Sequence, residues 1–191
     1  MKKDIILAGV GGQGILSIAA VIGHAALKEN IYIKQAEVHG MSQRGGDVQS
    51  NLRLSSEHIA SDLIARGCAD LIVSLEPMEA LRYLPYLSKE GWIVTNTVPV
   101  VNIPNYPDED KILEELRSVG NVIMLDADAL AKEAGSPRSS NMALLGACCA
   151  PLGLEPAMLE QGISEIFARK GQAVVDANIA AFRAGRKAAG R

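Results

Sequence analysis

The stretch Ile5-Ile-Leu-Ala-Gly-Val-Gly-Gly-Gln-Gly14 decides the fold, because it joins an apolar run directly to a glycine-rich turn. Residues 5–10 are apolar without alternation, which is typical of a strand buried on both faces of a sheet. From residue 15 to residue 28 the apolar side chains follow a helical spacing, and residues 31–38 are predicted to form a second strand. The order of strand, glycine turn, helix and strand predicts a βαβ unit.

Predicted strands and helices continue to alternate along the chain. Further strands are predicted at residues 48–55, 69–75, 92–96 and 122–125. Helices are predicted at residues 78–87 and 110–118, and from residue 127 onward. We therefore predict a single domain over residues 1–191, of the α/β class: a doubly wound, mostly parallel sheet with helices on both faces and a helical C-terminal part.

Composition excludes several classes of protein. With 48% hydrophobic and 21% charged residues, the 191-residue chain is not intrinsically disordered. A net charge of −3 and an aromatic content of 4% argue against a nucleic-acid partner, which needs basic and stacking surfaces. No stretch of about 18 apolar residues offers a membrane span, and the first apolar run is too short for a signal peptide. We expect a cytoplasmic protein.

The cysteines predict neither disulfides nor a metal centre. Cys68, Cys148 and Cys149 are an odd number without regular spacing, which is not a disulfide framework. An iron–sulfur cluster normally takes four cysteine thiolates, and the three histidines lack the spacing of zinc ligands. The sequence predicts no metal site and no catalytic residue on this chain.

The first glycine loop is a candidate anion site. Gly9-Val-Gly-Gly-Gln-Gly14 fits the pattern G-x-G-x-x-G, between a predicted strand and a predicted helix. The helix would offer free N–H groups and the positive end of its dipole to an anion. Two interpretations stay open for this motif by itself: a nucleotide or diphosphate site, or a tight turn that binds nothing.

A second loop, within Glu37-Val-His-Gly-Met-Ser-Gln-Arg-Gly-Gly46, follows the second predicted strand. Its glycine pair can form a concave nest of N–H groups, and Arg44 adds a planar donor that matches phosphate or carboxylate. Both loops are expected at the same edge of the sheet, where they would form a binding crevice. The predicted binding residues are Gly11, Gly12, Gln13, Gly14, Ser42, Gln43, Arg44, Gly45 and Gly46.

With these two loops the chain resembles the γ-type domain of the 2-oxoacid:ferredoxin oxidoreductases, a Rossmann-like domain, and within them the small β subunit of the indolepyruvate branch. Other stretches add to the resemblance, which runs nearly from end to end. They are Glu76-Pro-Met-Glu-Ala-Leu-Arg-Tyr-Leu84, Asn96-Thr97, Pro99, Asn141, Leu144-Leu-Gly-Ala147, Asn178, Ala181-Phe182 and Gly185.

The resemblance implies a two-subunit enzyme that converts aryl 2-oxoacids to aryl acyl-CoA and passes two electrons to ferredoxin. The large α subunit would hold thiamine diphosphate, Mg²⁺ and 4Fe–4S clusters. The small subunit would hold no cofactor by itself, would contribute to coenzyme A handling and would be inactive alone; when isolated, it can self-associate through the surface meant for its partner.

Three alternatives stay open. The first is a γ subunit of a 2-oxoglutarate or pyruvate:ferredoxin oxidoreductase. The second is a free-standing Rossmann-type nucleotide-binding module. The third is an NAD-dependent dehydrogenase, for which Glu37 lies near the place of a ribose-binding carboxylate.

From the resemblance we expect Gln13, Ser42, Gln43 and Arg44 to face the large subunit's active site or a bound acyl acceptor. Arg44→Ala is therefore expected to raise the apparent KM for coenzyme A or to weaken assembly with the large subunit, because it removes the planar cation. Steady-state kinetics and size-exclusion chromatography check both effects. An unchanged complex with unchanged kinetics would contradict the assignment.

Overall fold

Residues 1–39 and 45–190 are described by the computed structural model, with only the backbone described for His39. They form one sheet of six strands with helices on both faces. The strands are β1 (Lys2–Val10), β2 (Tyr32–His39), β3 (Asp47–Ser55), β4 (Ala69–Ser74), β5 (Leu87–Asn96) and β6 (Val122–Leu125). Their order across the sheet is β2-β3-β1-β4-β5-β6.

The sheet is parallel from β1 to β6 and contains one reversed strand. β1, β4, β5 and β6 pair in parallel, whereas β3 runs antiparallel to both β1 and β2. Because β3 is antiparallel to both of its neighbours, β1 and β2 point in the same direction, as the predicted βαβ unit requires. The mostly parallel sheet is thus confirmed, with β3 inserted between the first two strands. We call the end at which β1, β4, β5 and β6 finish the carboxyl edge.

Eight helices are found among the described residues: α1 (Ile15–Lys28), α2 (Pro77–Arg82), α3 (Glu109–Ser118), α4 (Ala127–Glu133), α5 (Ser140–Ala147), α6 (Cys149–Leu152), α7 (Pro156–Phe167) and α8 (Gln172–Ala188). The predicted helical C-terminal part is confirmed. Over the ranges 1–39 and 45–190, no helix combines the length and apolar character that crossing a membrane requires.

Two hydrophobic cores lie between the sheet and its helices, one on each face of the sheet. Strand β1 contributes side chains to both cores. Ile5 and Leu7 face a large core with α1 and α4–α8, whereas Ile6 and Ala8 face a smaller core with α2 and α3. All four side chains are fully buried. The strand is uniformly apolar because helices cover both of its faces, which confirms the doubly wound arrangement.

The segment after β4 differs from the prediction. A helix was expected over residues 78–87, but α2 ends at Arg82, a short 3₁₀ turn covers Leu84–Tyr86, and β5 already begins at Leu87. Pro85 explains the early end, because its ring nitrogen has no hydrogen to donate to the carbonyl four residues earlier.

The backbones of α5 and α8 touch. A Cβ atom on Gly146 would overlap the carbonyl oxygen of Phe182, and one on Gly185 would overlap the carbonyl oxygen of Ala143. The seven residues from Asn141 to Ala147 are all buried. Glycine at both positions therefore lets α8 lie directly on α5 and holds α5 in the large core.

Gly185→Ala is expected to lower the free energy of unfolding by about 3 kcal/mol or more, because the new methyl group meets backbone that cannot move aside by rotation. Gly23→Ala is the matched control within α1, where the nearest atom to a new Cβ is Ile33 Cδ1 at 3.8 Å. That control should be neutral or more stable by up to about 1 kcal/mol. Urea unfolding of both variants measures the difference, and equal stabilities would refute the packing argument.

Candidate functional site

The two glycine loops meet at the carboxyl edge. The Gly11 N–H donates to the Gly46 carbonyl at 2.9 Å, and the Gly45 N–H donates to the Gly11 carbonyl at 3.3 Å. These bonds hold residues 45–46 beside the turn that follows β1. They also occupy the N–H groups of Gly11 and Gly45, which are therefore not available to a ligand.

Gln13 braces the first loop. Its Oε1 accepts from the Val10 N–H at 2.7 Å, and its Nε2 donates to the Leu75 carbonyl at 2.9 Å. The side chain thereby joins the ends of β1 and β4. A Cβ atom on Gly9 would lie 2.7 Å from Gln13 Oε1, so glycine at position 9 leaves room for the brace. Both ends of the Gln13 amide are engaged within the protein.

The N-terminus of α1 is uncapped. Gly14, the N-cap residue, adopts a φ of +82°, no side chain among residues 1–39 and 45–190 caps the helix, and its first turn contains no acidic residue. Asn141, at the start of α5, donates from Nδ2 to the Gly14 carbonyl at 3.1 Å, and a Cβ on Gly14 would lie 2.7 Å from that nitrogen. The Ser17 N–H donates to the Gly14 carbonyl at 3.1 Å, so the N–H groups of Ile15 and Leu16 and the positive end of the helix dipole are what the first turn offers to an anion.

A cleft of about 500 Å³ opens in front of this helix end; we call it the α1 cleft. Arg138 and Lys170 line it, both are exposed, and neither forms an ion pair with any residue in the ranges 1–39 and 45–190. No described lining residue is acidic. The other polar lining residues are Gln13, Ser17, Ser136, Ser139, Asn141 and Asn178. The α1 cleft is thus cationic and polar, although the side-chain amides of Gln13, Asn141 and Asn178 already donate to backbone carbonyls.

The cations of the α1 cleft were missed by reasoning from the sequence. Arg138 lies in a turn before α5 and Lys170 lies in the turn before α8. They are more than thirty residues apart in sequence and far from Gly14, so no local motif joins them. The packing of α8 on α5 and the contact of Asn141 with Gly14 bring them together.

The other half of the carboxyl edge is built around Glu76. Its side chain is fully buried and caps α2, accepting from the Glu79 N–H at 2.9 Å. The same carboxylate accepts from the Val100 N–H at 3.4 Å and from the Tyr106 hydroxyl. Burial first, and then the hydrogen bond to Glu76, raise the pKa of Tyr106 above its usual range, so the phenol keeps its proton and donates.

An acidic cluster flanks Glu76. The Tyr83 hydroxyl donates to Asp47 Oδ2 at 2.8 Å, and Arg82 Nε donates to Glu79 Oε2 at 2.6 Å. Burial followed by the bond to Asp47 raises the pKa of Tyr83. Burial also raises the pKa of Glu79, although Arg82 opposes it. The carboxyl edge is therefore divided into a cationic side at α1 and an acidic side at α2.

The described residues contain six of the predicted site residues, and all six lie at the carboxyl edge: Gly11, Gly12, Gln13, Gly14, Gly45 and Gly46. Ser42, Gln43 and Arg44 lie outside the described residues. Within residues 1–39 and 45–190, no group of three or more His, Cys, Asp or Glu side chains could hold a metal ion. Cys148 and Cys149 are buried, and burial raises the pKa of both thiols, that of Cys149 to about 11.

Residues 4–188 match the family described as pyruvate ferredoxin/flavodoxin oxidoreductase. The chain belongs to this family. It is 39% identical over 199 residues to the indolepyruvate oxidoreductase subunit IorB of Thermococcus kodakarensis, covering 99% of this chain and 97% of the relative. It is 38% identical over 192 residues to the IorB of Methanothermobacter thermautotrophicus, covering 97% and 96%. The chain is 26% identical to the 2-oxoglutarate synthase subunit KorC of Methanothermobacter marburgensis, and this match covers 98% of this chain and 96% of the relative.

Solved structures of this family of oxidoreductases share the fold. The pyruvate oxidoreductase subunit PORC of Thermotoga maritima superposes with a TM-score of 0.74 at 24% identity, covering 97% of this chain and 96% of that chain. The 2-oxoglutarate:ferredoxin oxidoreductase of Magnetococcus marinus, solved with 2-oxoglutarate, coenzyme A and succinyl-CoA bound, gives a TM-score of 0.77 at 23% identity. The likeness covers 99% of this chain but only 31% of that chain.

Proposed function

We propose that this chain is the small subunit of an indolepyruvate oxidoreductase. The observation that carries the proposal is the identity of 38–39% to two IorB subunits across 97–99% of the chain, against 26% to a KorC subunit of similar coverage. In this proposal a larger partner subunit carries thiamine diphosphate and the iron–sulfur clusters, as the resemblance of the two loops implies. Ferredoxin receives the electrons through the complex.

The proposed contribution of this chain is to bind and orient coenzyme A. Coenzyme A carries a diphosphate and a 3′-phosphate, and such anions are stabilised by an uncapped helix N-terminus and by cations. The α1 cleft offers both, through Gly14 at the start of α1 and through Arg138 and Lys170. The related 2-oxoglutarate:ferredoxin oxidoreductase binds coenzyme A, which supports the same ligand class here. Arg44, proposed from the sequence, would add a further cation.

The proposed activity is tested by co-expressing the chain with its large subunit and assaying reduction of a viologen dye with coenzyme A. We expect turnover with indolepyruvate at a kcat/KM well above that with 2-oxoglutarate or pyruvate, and no turnover by either subunit alone. A preference for 2-oxoglutarate or pyruvate would favour the alternative family branches. Reduction of NAD by the lone chain would refute the proposal.

The double variant Arg138→Gln, Lys170→Gln is expected to raise the KM for coenzyme A about tenfold, since two exposed cations that each contribute about 0.7 kcal/mol to phosphate binding together contribute about 1.4 kcal/mol. The KM for the 2-oxoacid should stay the same. The matched control is Lys89→Gln, Arg117→Gln, which removes two exposed cations distant from the carboxyl edge. Steady-state kinetics of the assembled complex give both constants, and an equal KM for coenzyme A in the two double variants would contradict the assignment.

A further inference from the structure

We propose that residues 97–107, which we call the strap, form the docking surface for the large subunit, and that the partner presents an apolar patch bordered by basic residues. The proposal rests on the proposed function, because it names the surface through which the small subunit meets its partner. The strap runs from the end of β5 toward α3, along the carboxyl edge.

The strap exposes aliphatic side chains. Val98, Val101 and Ile103 are 36%, 61% and 38% exposed, and all three belong to one stretch of six residues. Single exposed apolar residues are normal on a protein surface, but a local group of them marks a site of interaction. Of the other large exposed hydrophobic residues, Leu27 and Leu63 lie near the opposite edge of the sheet.

The strap is tied firmly to the sheet. Near its middle, the Val100 N–H donates to the buried Glu76, and near its end the Tyr106 hydroxyl donates to the same oxygen. Asn102 Nδ2 donates to the Gly45 carbonyl at 2.5 Å. The aliphatic side chains are therefore held outward by a backbone that is already ordered, which lowers the entropy cost of binding a partner.

The border of the strap is acidic. From residue 96 to residue 110 the chain contains no basic residue, and Asp108-Glu109-Asp110 follows the strap directly. At the other end, Asn96 Nδ2 donates to Asp128 Oδ2 at 2.9 Å and to the Val98 carbonyl at 3.4 Å, which places a carboxylate beside the start of the strap. An apolar centre between two acidic ends is complementary to an apolar patch with a basic border.

The position of the strap indicates that its partner is the large subunit. The bond from Asn102 to Gly45 joins the strap to the second glycine loop, and Gly45 and Gly46 are bonded to the first. A coenzyme A molecule bound in the α1 cleft, which the first glycine loop lines, must reach the reacting group on the large subunit. The large subunit must therefore cover the carboxyl edge, where the strap exposes three aliphatic side chains within six residues and Leu16 and Val38 are exposed as well.

The test compares two pairs of single variants. Val101→Asp and Ile103→Asp add a charge to the strap, whereas Leu27→Asp and Leu63→Asp add the same charge to leucines of 65% and 60% exposure near the opposite edge. The dissociation constant for the purified large subunit is measured by biolayer interferometry. We expect at least a tenfold increase for the strap variants and less than a twofold change for the controls.

Folding is checked on each isolated variant by its thermal transition. If an aspartate lowers the transition temperature, Val101→Ser and Ile103→Ser replace it, and they should still weaken binding several-fold. The variant Glu109→Gln, Asp110→Asn should weaken binding and reduce its dependence on salt, because it removes charge from the border without adding any.

The outcomes separate this proposal from the proposed function. Wild-type binding by Val101→Asp and Ile103→Asp would overturn the docking surface while the function stands. A strap variant that dissociates a homo-oligomer of the small subunit but binds the large subunit normally would overturn it too, because the occupant would then be a second copy. A wild-type chain that binds no large subunit would overturn the proposed function and with it the docking surface.

Discussion

The turn between β1 and α1 connects the parts of this protein that build the carboxyl edge. Gln13 ties it to the end of β4, Gly11 ties it to residues 45–46, and Asn141 ties Gly14 to α5. Each tie is a hydrogen bond to the backbone of the turn or of its neighbour, so the local path of the chain has little freedom. The glycines at positions 9 and 14 are required because the bracing side chains occupy the space that a Cβ atom would take.

The turn between β1 and α1 also depends on the packing of the C-terminal helices. Asn141 is the second residue of α5, and α5 is held in the large core by the backbone contact of Gly146 and Gly185 with their neighbouring helices. The packing that stabilises the helical part therefore also orients the α1 cleft. A substitution on α8, far from the glycine loop in sequence, acts on the site through α5.

The two sides of the carboxyl edge differ in charge. On the α1 side, the N-terminus of α1 and the exposed cations Arg138 and Lys170 suit an anion. On the α2 side, Glu76 holds a strap whose outer surface is apolar between acidic ends. Because the same sheet positions both sides, a ligand bound by one lies next to a partner bound by the other. This arrangement is consistent with a subunit that presents an acyl acceptor to chemistry performed elsewhere.

The sequence by itself determined the α/β class, the six strands and the glycine edge, because uniform apolar runs, helical spacing and G-x-G-x-x-G are local patterns with direct structural meaning. It also pointed to the family through its two loops. It did not place β3 between β1 and β2, because pairing of strands depends on contacts across the sheet. Nor did it identify Arg138, Lys170 or the attachment of the strap to Glu76. Only the tertiary structure decided these, since packing of helices and a buried carboxylate join residues that no sequence interval relates.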